Sequence, residues 1–131
     1  MAQGLLYLDS SAIVKLVMPE IESRALRHML RAWPDRVSSV IAAVEVERAA
    51  RRIGGSAVRR ASSVLSRIDL IGLDDEVVRS AASLGPRELR ALDAIHLATA
   101  ILLGDDLGAF CAYDARLAAA AAKIGTVLAP A

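Results

Sequence analysis

"LLYLDSSAIVKLV", Leu5 to Val17, changes its character halfway along. Its first four residues are a short apolar run, the pattern of a buried strand. Asp9, Ser10 and Ser11 follow, and all three are good helix N-caps. "AIVKLV" then starts a short helix, which Pro19 breaks by removing a backbone N–H. A buried strand that runs straight into a helix is the opening unit of an alternating α/β chain.

The pattern repeats outward from there. From Glu20 to about Ala32, Ile21, Leu26, Met29 and Leu30 recur at helical spacing, and "WPDR" turns the chain. Val37 ends a second short strand. Ser38 and Ser39 cap a helix over about Val40 to Ile53, which Gly54 and Gly55 stop. A further helix covers about Ser56 to Arg67, and "IDLIGL" reads as a strand. Asp74 and Asp75 cap a helix ending at Gly85, and Pro86 opens a long helix to about Leu103. "AFCAY", "ARLAAAAAKIG" and "TVLA" close the chain as strand, helix and strand. This alternation predicts α/β with a largely parallel sheet. No repeat or linker divides it, so a single domain over 1–131 is expected.

With 131 residues, 55% hydrophobic and 24% charged, the chain has the composition of a soluble globular protein. Its formal charge of +1 gives no strong field and neither demands nor excludes a nucleic-acid partner. Arg48, Arg51, Arg52, Arg59 and Arg60 form a local basic run, either a solvated helix face or a surface for phosphates. Cys111 is the one cysteine, so no internal disulfide forms, and its apolar neighbours place it in the core. The apolar start is too short for a signal peptide and lacks a basic leader. No apolar run approaches ~20 residues, so no membrane span is expected and a cytoplasmic location is the default.

Ligands of a parallel sheet bind beyond the carboxyl ends of its strands. Asp9 and Asp114 stand at two such ends, where each is either a helix N-cap or a site residue. Glu45 lies among apolar residues in "IAAVEVERAA", and periodicity leaves it open between surface and site. Asp93, in "LRALDAIHLA", has apolar neighbours nearly all round. It either pairs with Arg90 in the interior or joins carboxylates from elsewhere around a metal. Carboxylates without a His–Cys cluster suit Mg²⁺ or Mn²⁺, which prefer oxygen ligands and keep several waters. Such an ion activates water and stabilises a leaving oxygen, which suits phosphodiester hydrolysis. His96 reads as a support that orients an acid, and Ser10 and Ser11 as caps, one of which has a hydroxyl to spare for a water or a phosphate. No Gly-rich phosphate loop or nucleophile elbow is present. A phosphatase with an aspartate nucleophile would want a second Asp at the position of Ser11.

The ordered set "YLDSSAIVKL", "SSVIAAVEV", "LRALDAIHLATA" and "YDARLAAAA" resembles the PIN-domain ribonucleases, and most of all the VapC-type toxins of bacterial toxin–antitoxin pairs. The resemblance implies a three-layer sandwich with a central, mainly parallel sheet of about five short strands. It implies an Mg²⁺-dependent site, with Mn²⁺ as a substitute, that cleaves RNA. Asp9, Glu45, Asp93 and Asp114 would be catalytic, with Asp9, Asp93 and Asp114 as metal ligands. It further implies a homodimer silenced by a cognate antitoxin. Ser10, Ser11, His96, Arg48, Arg90 and Arg116 are supporting or RNA-contacting candidates, and Arg52 and Arg87 also lie near the acids in sequence. Ala112 stands where many relatives have Thr or Ser, which leaves open a silent protein- or RNA-binding module.

Overall fold

The computed structural model describes residues 4–131, so residues 1–3 of the expected domain lie outside the described residues. Five parallel strands form one sheet in the order β3-β2-β1-β4-β5. They are β1 (Leu5–Leu8), β2 (Arg36–Ser39), β3 (Asp69–Ile71), β4 (Leu107–Cys111) and β5 (Val127–Leu128). The helices are α1 (Ser10–Val17), α2 (Ser23–Leu30), α3 (Val40–Ile53), α4 (Gly55–Leu65), α5 (Asp75–Ser83), α6 (Ala91–Ile101) and α7 (Ala115–Ala121).

Side chains alternate across the sheet and feed two cores. Leu6, Leu8, Ala109 and Cys111 join Ile13, Leu26, Val46 and Ala61 from α1–α4 on one face. Tyr7, Phe110 and Ala112 join Leu97, Ala100 and Leu117 from α6 and α7 on the other. The central strands are buried from both sides, which is why "LLYL" reads as continuous rather than alternating. Cys111 is buried, and loss of hydration pushes its thiol up to about 12, consistent with a small core residue.

The sequence order reverses between β1 and β4, and the crevice at such a switch point is where α/β sheets bind ligands. Parallel strands put their carboxyl ends, and the N-termini of the helices that follow, on one rim. Asp9 N-caps α1, its side chain accepting from the Ala12 N–H at 2.9 Å. Ser39 caps α3, and Asp114 caps α7 through Leu117 N–H at 3.0 Å.

The stretch before α6 differs from expectation. Pro86 does not open a helix, because Pro86–Leu89 close their own turn, Leu89 N–H donating to the Pro86 carbonyl at 3.0 Å. Leu84 and Leu89 pack against the second core, Arg90 is extended as the N-cap, and α6 begins at Ala91. Asp93 therefore lies in the first turn of α6, near its positive end, rather than inside a long apolar helix. The strand expected at "AFCAY" also begins two residues earlier, at Leu107.

The core assignment separates two residues that look alike in sequence. Leu26 is 0% exposed and Ile21 is 94% exposed. Leu26→Ala should lower unfolding free energy in urea by about 3 kcal/mol, and Ile21→Ala by less than about 0.5 kcal/mol.

Candidate active site

Asp9 follows the last residue of β1, and its backbone N–H donates to the Cys111 carbonyl of β4 at 3.1 Å. The side chain is only 3% exposed. Ser11 donates to its two oxygens at 2.7 and 2.8 Å and accepts from the Tyr113 N–H at 3.1 Å. One hydroxyl thus ties the end of β1 to the segment leading to Asp114. Burial pushes the Asp9 carboxyl up to about 6, against the opposing pull of the Ala12 and Ser11 hydrogen bonds and the His96 charge. The charge of Asp93 adds to the rise.

Asp93 is half-buried on α6. Loss of hydration and then the charge of Asp114 raise its pKa, Glu45 adds to the rise, and Arg90 and His96 draw it down. Among the described residues no ion pair within 4.0 Å reaches Asp9, Asp93 or Asp114, so Arg90 does not neutralise Asp93 by direct pairing. The carboxylates of β1, β4 and α6 therefore stand within reach of each other's fields without a bound cation of the chain itself.

Glu45 is held differently. It is half-buried on α3 and accepts from Ser10 at 2.6 Å and from His96 Nε2 at 3.1 Å. Partial burial would push its carboxyl up, but the His96 and Ser10 hydrogen bonds outweigh it and hold it below the ordinary range. Behind His96, the Tyr7 hydroxyl lies 2.7 Å from Nδ1. Burial pushes the Tyr7 phenol well up, and its hydroxyl is hydrogen-bonded to Nδ1. Nε2 carries the hydrogen shared between Glu45 and the Ser10 oxygen, which is 3.1 Å away. Tyr7 and His96, 0% and 2% exposed, form a buried strut that fixes Glu45.

His96 is hydrogen-bonded to Glu45 and Tyr7. The expected capping by Ser10 and Ser11 does not hold: Asp9 caps α1, and both hydroxyls are engaged with acids. Tyr7 was visible in the sequence only as a strand aromatic, and no sequence signal linked it to His96. Lys15 was missed as well. It donates to Glu20 and Glu22 at 3.1 and 3.2 Å and lies 4.7 Å from the Tyr113 ring centre. Lys15 lines a shallow groove of about 450 Å³ with Ser10, Ser11, Glu45 and Asp114.

Among the arginine candidates, Arg48 joins Arg51 and Arg52 around a basic depression one turn beyond Glu45. Arg90 is the exposed N-cap of α6, and Arg116 is exposed in the first turn of α7. Arg52 is exposed on α3, and Arg87 borders an apolar groove between α5 and α6. Ala112 is fully buried in the apolar core, so a hydroxyl at that position would start beneath the site rather than in the groove. Among the described residues no three His, Cys, Asp or Glu side chains converge as a ready-made metal cage. Asp9 and Asp114 each have an oxygen committed to a helix cap.

Comparison with known proteins places the fold and the family. Residues 6–123 match the PIN domain. Ribonuclease VapC46 of Mycobacterium tuberculosis is 52% identical over 126 residues, covering 95% of this chain and 97% of its own. Ribonuclease VapC35 of the same organism is 41% identical, covering 96% of this chain and 97% of its own. A chain of a toxin–antitoxin complex from Klebsiella pneumoniae superposes with a TM-score of 0.75 at 24% identity, covering 96% of this chain and 98% of its own. Mycobacterium tuberculosis VapC20, a sarcin–ricin loop cleaving toxin, superposes at 0.72 with 18% identity, covering 88% and 94%. The two structures share the three-layer fold, and the sequence relatives place the chain more closely. The domain match from Leu6 to Lys123 and the identity to VapC46 over nearly the whole of both chains make this chain a member of the PIN-domain family, among the VapC ribonucleases.

Proposed function

We propose that this chain is an endoribonuclease toxin that hydrolyses phosphodiester bonds in RNA with a divalent cation, Mg²⁺ or Mn²⁺, at the β1/β4 crevice. The observation that carries the reading is the set Asp9, Glu45, Asp93 and Asp114, delivered by four elements to one rim with three of the four lacking an ion-pair partner among the described residues. The names of the relatives support ribonuclease activity.

The donor set fits a hard cation. All the candidate ligands are carboxylate oxygens, and lost hydration is the first cause of the raised pKa values of Asp9 and Asp93. Mg²⁺ takes one or two carboxylates and keeps its waters, so it needs no closed cage of side chains. Asp9, Asp93 and Asp114 would hold it, and when bound it supplies charge stabilisation and a more acidic water. The chain's own part is positioning. Ser11 fixes both Asp9 oxygens, and the Tyr7–His96 strut holds Glu45 ionised toward the groove, ready to orient a water. Arg48, Arg90 and Arg116 are placed to meet phosphates beside the acids.

The same reading takes the chain as one domain, a homodimer in the cytoplasm silenced by a cognate antitoxin. The toxin–antitoxin complex among its structural neighbours supports that partner, and no helix among the described residues is long and apolar enough to cross a membrane. A silent RNA- or protein-binding module is the second reading, and it rests on the absence of a preformed cage.

Incubation of purified protein with RNA separates the two. Cleavage should require Mg²⁺ or Mn²⁺, stop with EDTA, and fall by more than about a hundredfold in Asp9→Asn and in Asp93→Asn. Full cleavage by both variants, or in EDTA, refutes the assignment, and no Mn²⁺ uptake in calorimetry favours the silent module. His96→Ala should lower kcat by about 10–100-fold while leaving cation dependence intact, because it acts through Glu45.

Stability gives an independent check. Burial raises Asp9 in the fold above its unfolded value of 3.8, so its contribution to stability is complete below about pH 4. That contribution is lost as pH rises through about 6. In EDTA at pH 7.5, Asp9→Asn should therefore be more stable than the parent by on the order of 2 kcal/mol. The gap should close as the pH approaches 4.

A further inference from the structure

The opposite rim of the sheet carries a second charged feature of opposite sign. Arg27 and Arg31 from the end of α2, Arg36 at the start of β2 and Arg67 after α4 converge on a pocket of about 280 Å³. Its floor is apolar, built from Leu30, Val64 and Ile68, and no carboxylate lines it. Among the described residues none of the four arginines is in an ion pair. The pocket shares no lining residue with the acidic groove. The two come close along α1, where Lys15 lines the groove and Leu16 the pocket.

Arg36 is clamped in place. Its Nε donates to the Trp33 carbonyl at 2.7 Å and one Nη to the Leu30 carbonyl at 2.8 Å, which closes the end of α2. Loss of hydration and the charge of Arg67 both lower its pKa, so the two guanidinium groups feel each other without an intervening anion. Scattered surface arginines need no explanation. Four that gather around one apolar floor, against their mutual repulsion, leave a site whose energy an anion would improve.

The ligand follows from the shape of the donors. Guanidinium groups present planar forks that match phosphate oxygens in pairs. A volume at the low end of small-molecule sites suits one nucleotide, and the floor offers a base an apolar surface. An acidic peptide would match the charge but would make no use of the floor.

We propose that this pocket is a second ligand site that takes a nucleoside phosphate, its phosphoryl group among Arg27, Arg31 and Arg67 and its base against Leu30 and Val64. The ligand is either a free nucleotide or one nucleotide of an RNA strand. The site does not depend on the reading of the acidic groove.

The test titrates the full chain, in EDTA so that no RNA is cleaved, with AMP, adenosine, inorganic phosphate and a hexanucleotide of single-stranded RNA. AMP should bind more tightly than phosphate or adenosine. Arg31→Ala with Arg67→Ala should weaken AMP by at least about tenfold, since each removes charge-assisted bonds. Both residues are exposed, so the melting temperature should hold, and the corresponding Lys pair should retain part of the affinity if folding were in question. Asp9→Asn should leave AMP binding unchanged. A hexanucleotide that binds more tightly than AMP, with the same arginine dependence, makes the ligand a strand of RNA; equal affinity makes it the free nucleotide. AMP affinity that is the same in the double variant, or that depends on Asp9, overturns the proposal. So does a hexaglutamate peptide that binds through these arginines while AMP does not.

Discussion

Asp9 is a carboxylate placed where water barely reaches, between the end of the central strand and the first turn of α1. Most of the site is arranged around that burial. Two N–H or O–H donors meet its oxygens, yet they do not offset the lost hydration, and its carboxyl stays near 6. A carboxylate in that condition is a poor structural residue and a good place for a cation. The same groups hold the frame together, because Ser11 reaches from Asp9 to the backbone of Tyr113 and so fixes β1 against the approach to Asp114.

The four acids are two kinds of acid. Asp9 and Asp93 have raised pKa values, driven first by lost hydration, with the charge of Asp114 adding to Asp93 and that of Asp93 adding to Asp9. Glu45 has its own donors and is held below the usual range despite partial burial. The first pair gains from an added positive charge. Glu45 is already ionised by its surroundings and suits the orientation of a neutral molecule such as water. The Tyr7–His96 strut makes that difference, and it crosses from β1 to α6 to α3 through the buried interior.

A parallel sheet also sorts charge by rim. Helix N-termini carry partial positive charge and lie at the strand carboxyl ends, so acids there are partly compensated by the fold itself. Asp9 and Asp114 serve as caps at that rim, and Asp93 lies in a first turn. Strand amino ends and helix C-termini share the other rim, where partial negative charge favours cations. Arg36 satisfies carbonyls at the end of α2 there, with Arg67 close by. The polarity of the secondary structure thus favours the acids at one rim and Arg36 at the other, in a chain whose net charge is only +1.

Much of this was legible in the sequence. The change from "LLYL" to "DSSAIVKL" marked a strand, a cap and a helix because backbone periodicity and capping are local. The motif set around Asp9, Glu45, Asp93 and Asp114 named the family by resemblance, and the match over residues 6–123 agrees. Local rules failed where packing decided. Pro86 is allowed in a first turn but cannot compel one, and with Leu84 and Leu89 packed on the core α6 begins only at Ala91. That shift moved Asp93 from an apparent interior position to a helix start. The sequence alone determined the α/β alternation, the caps and the identity of the acids, since these depend on neighbours within one turn. Only the tertiary structure decided that Tyr7 backs His96, that Ser11 joins two strand ends, and that four arginines face one pocket. Those contacts join residues tens of positions apart, and their energies come from burial and from fields that no local pattern carries.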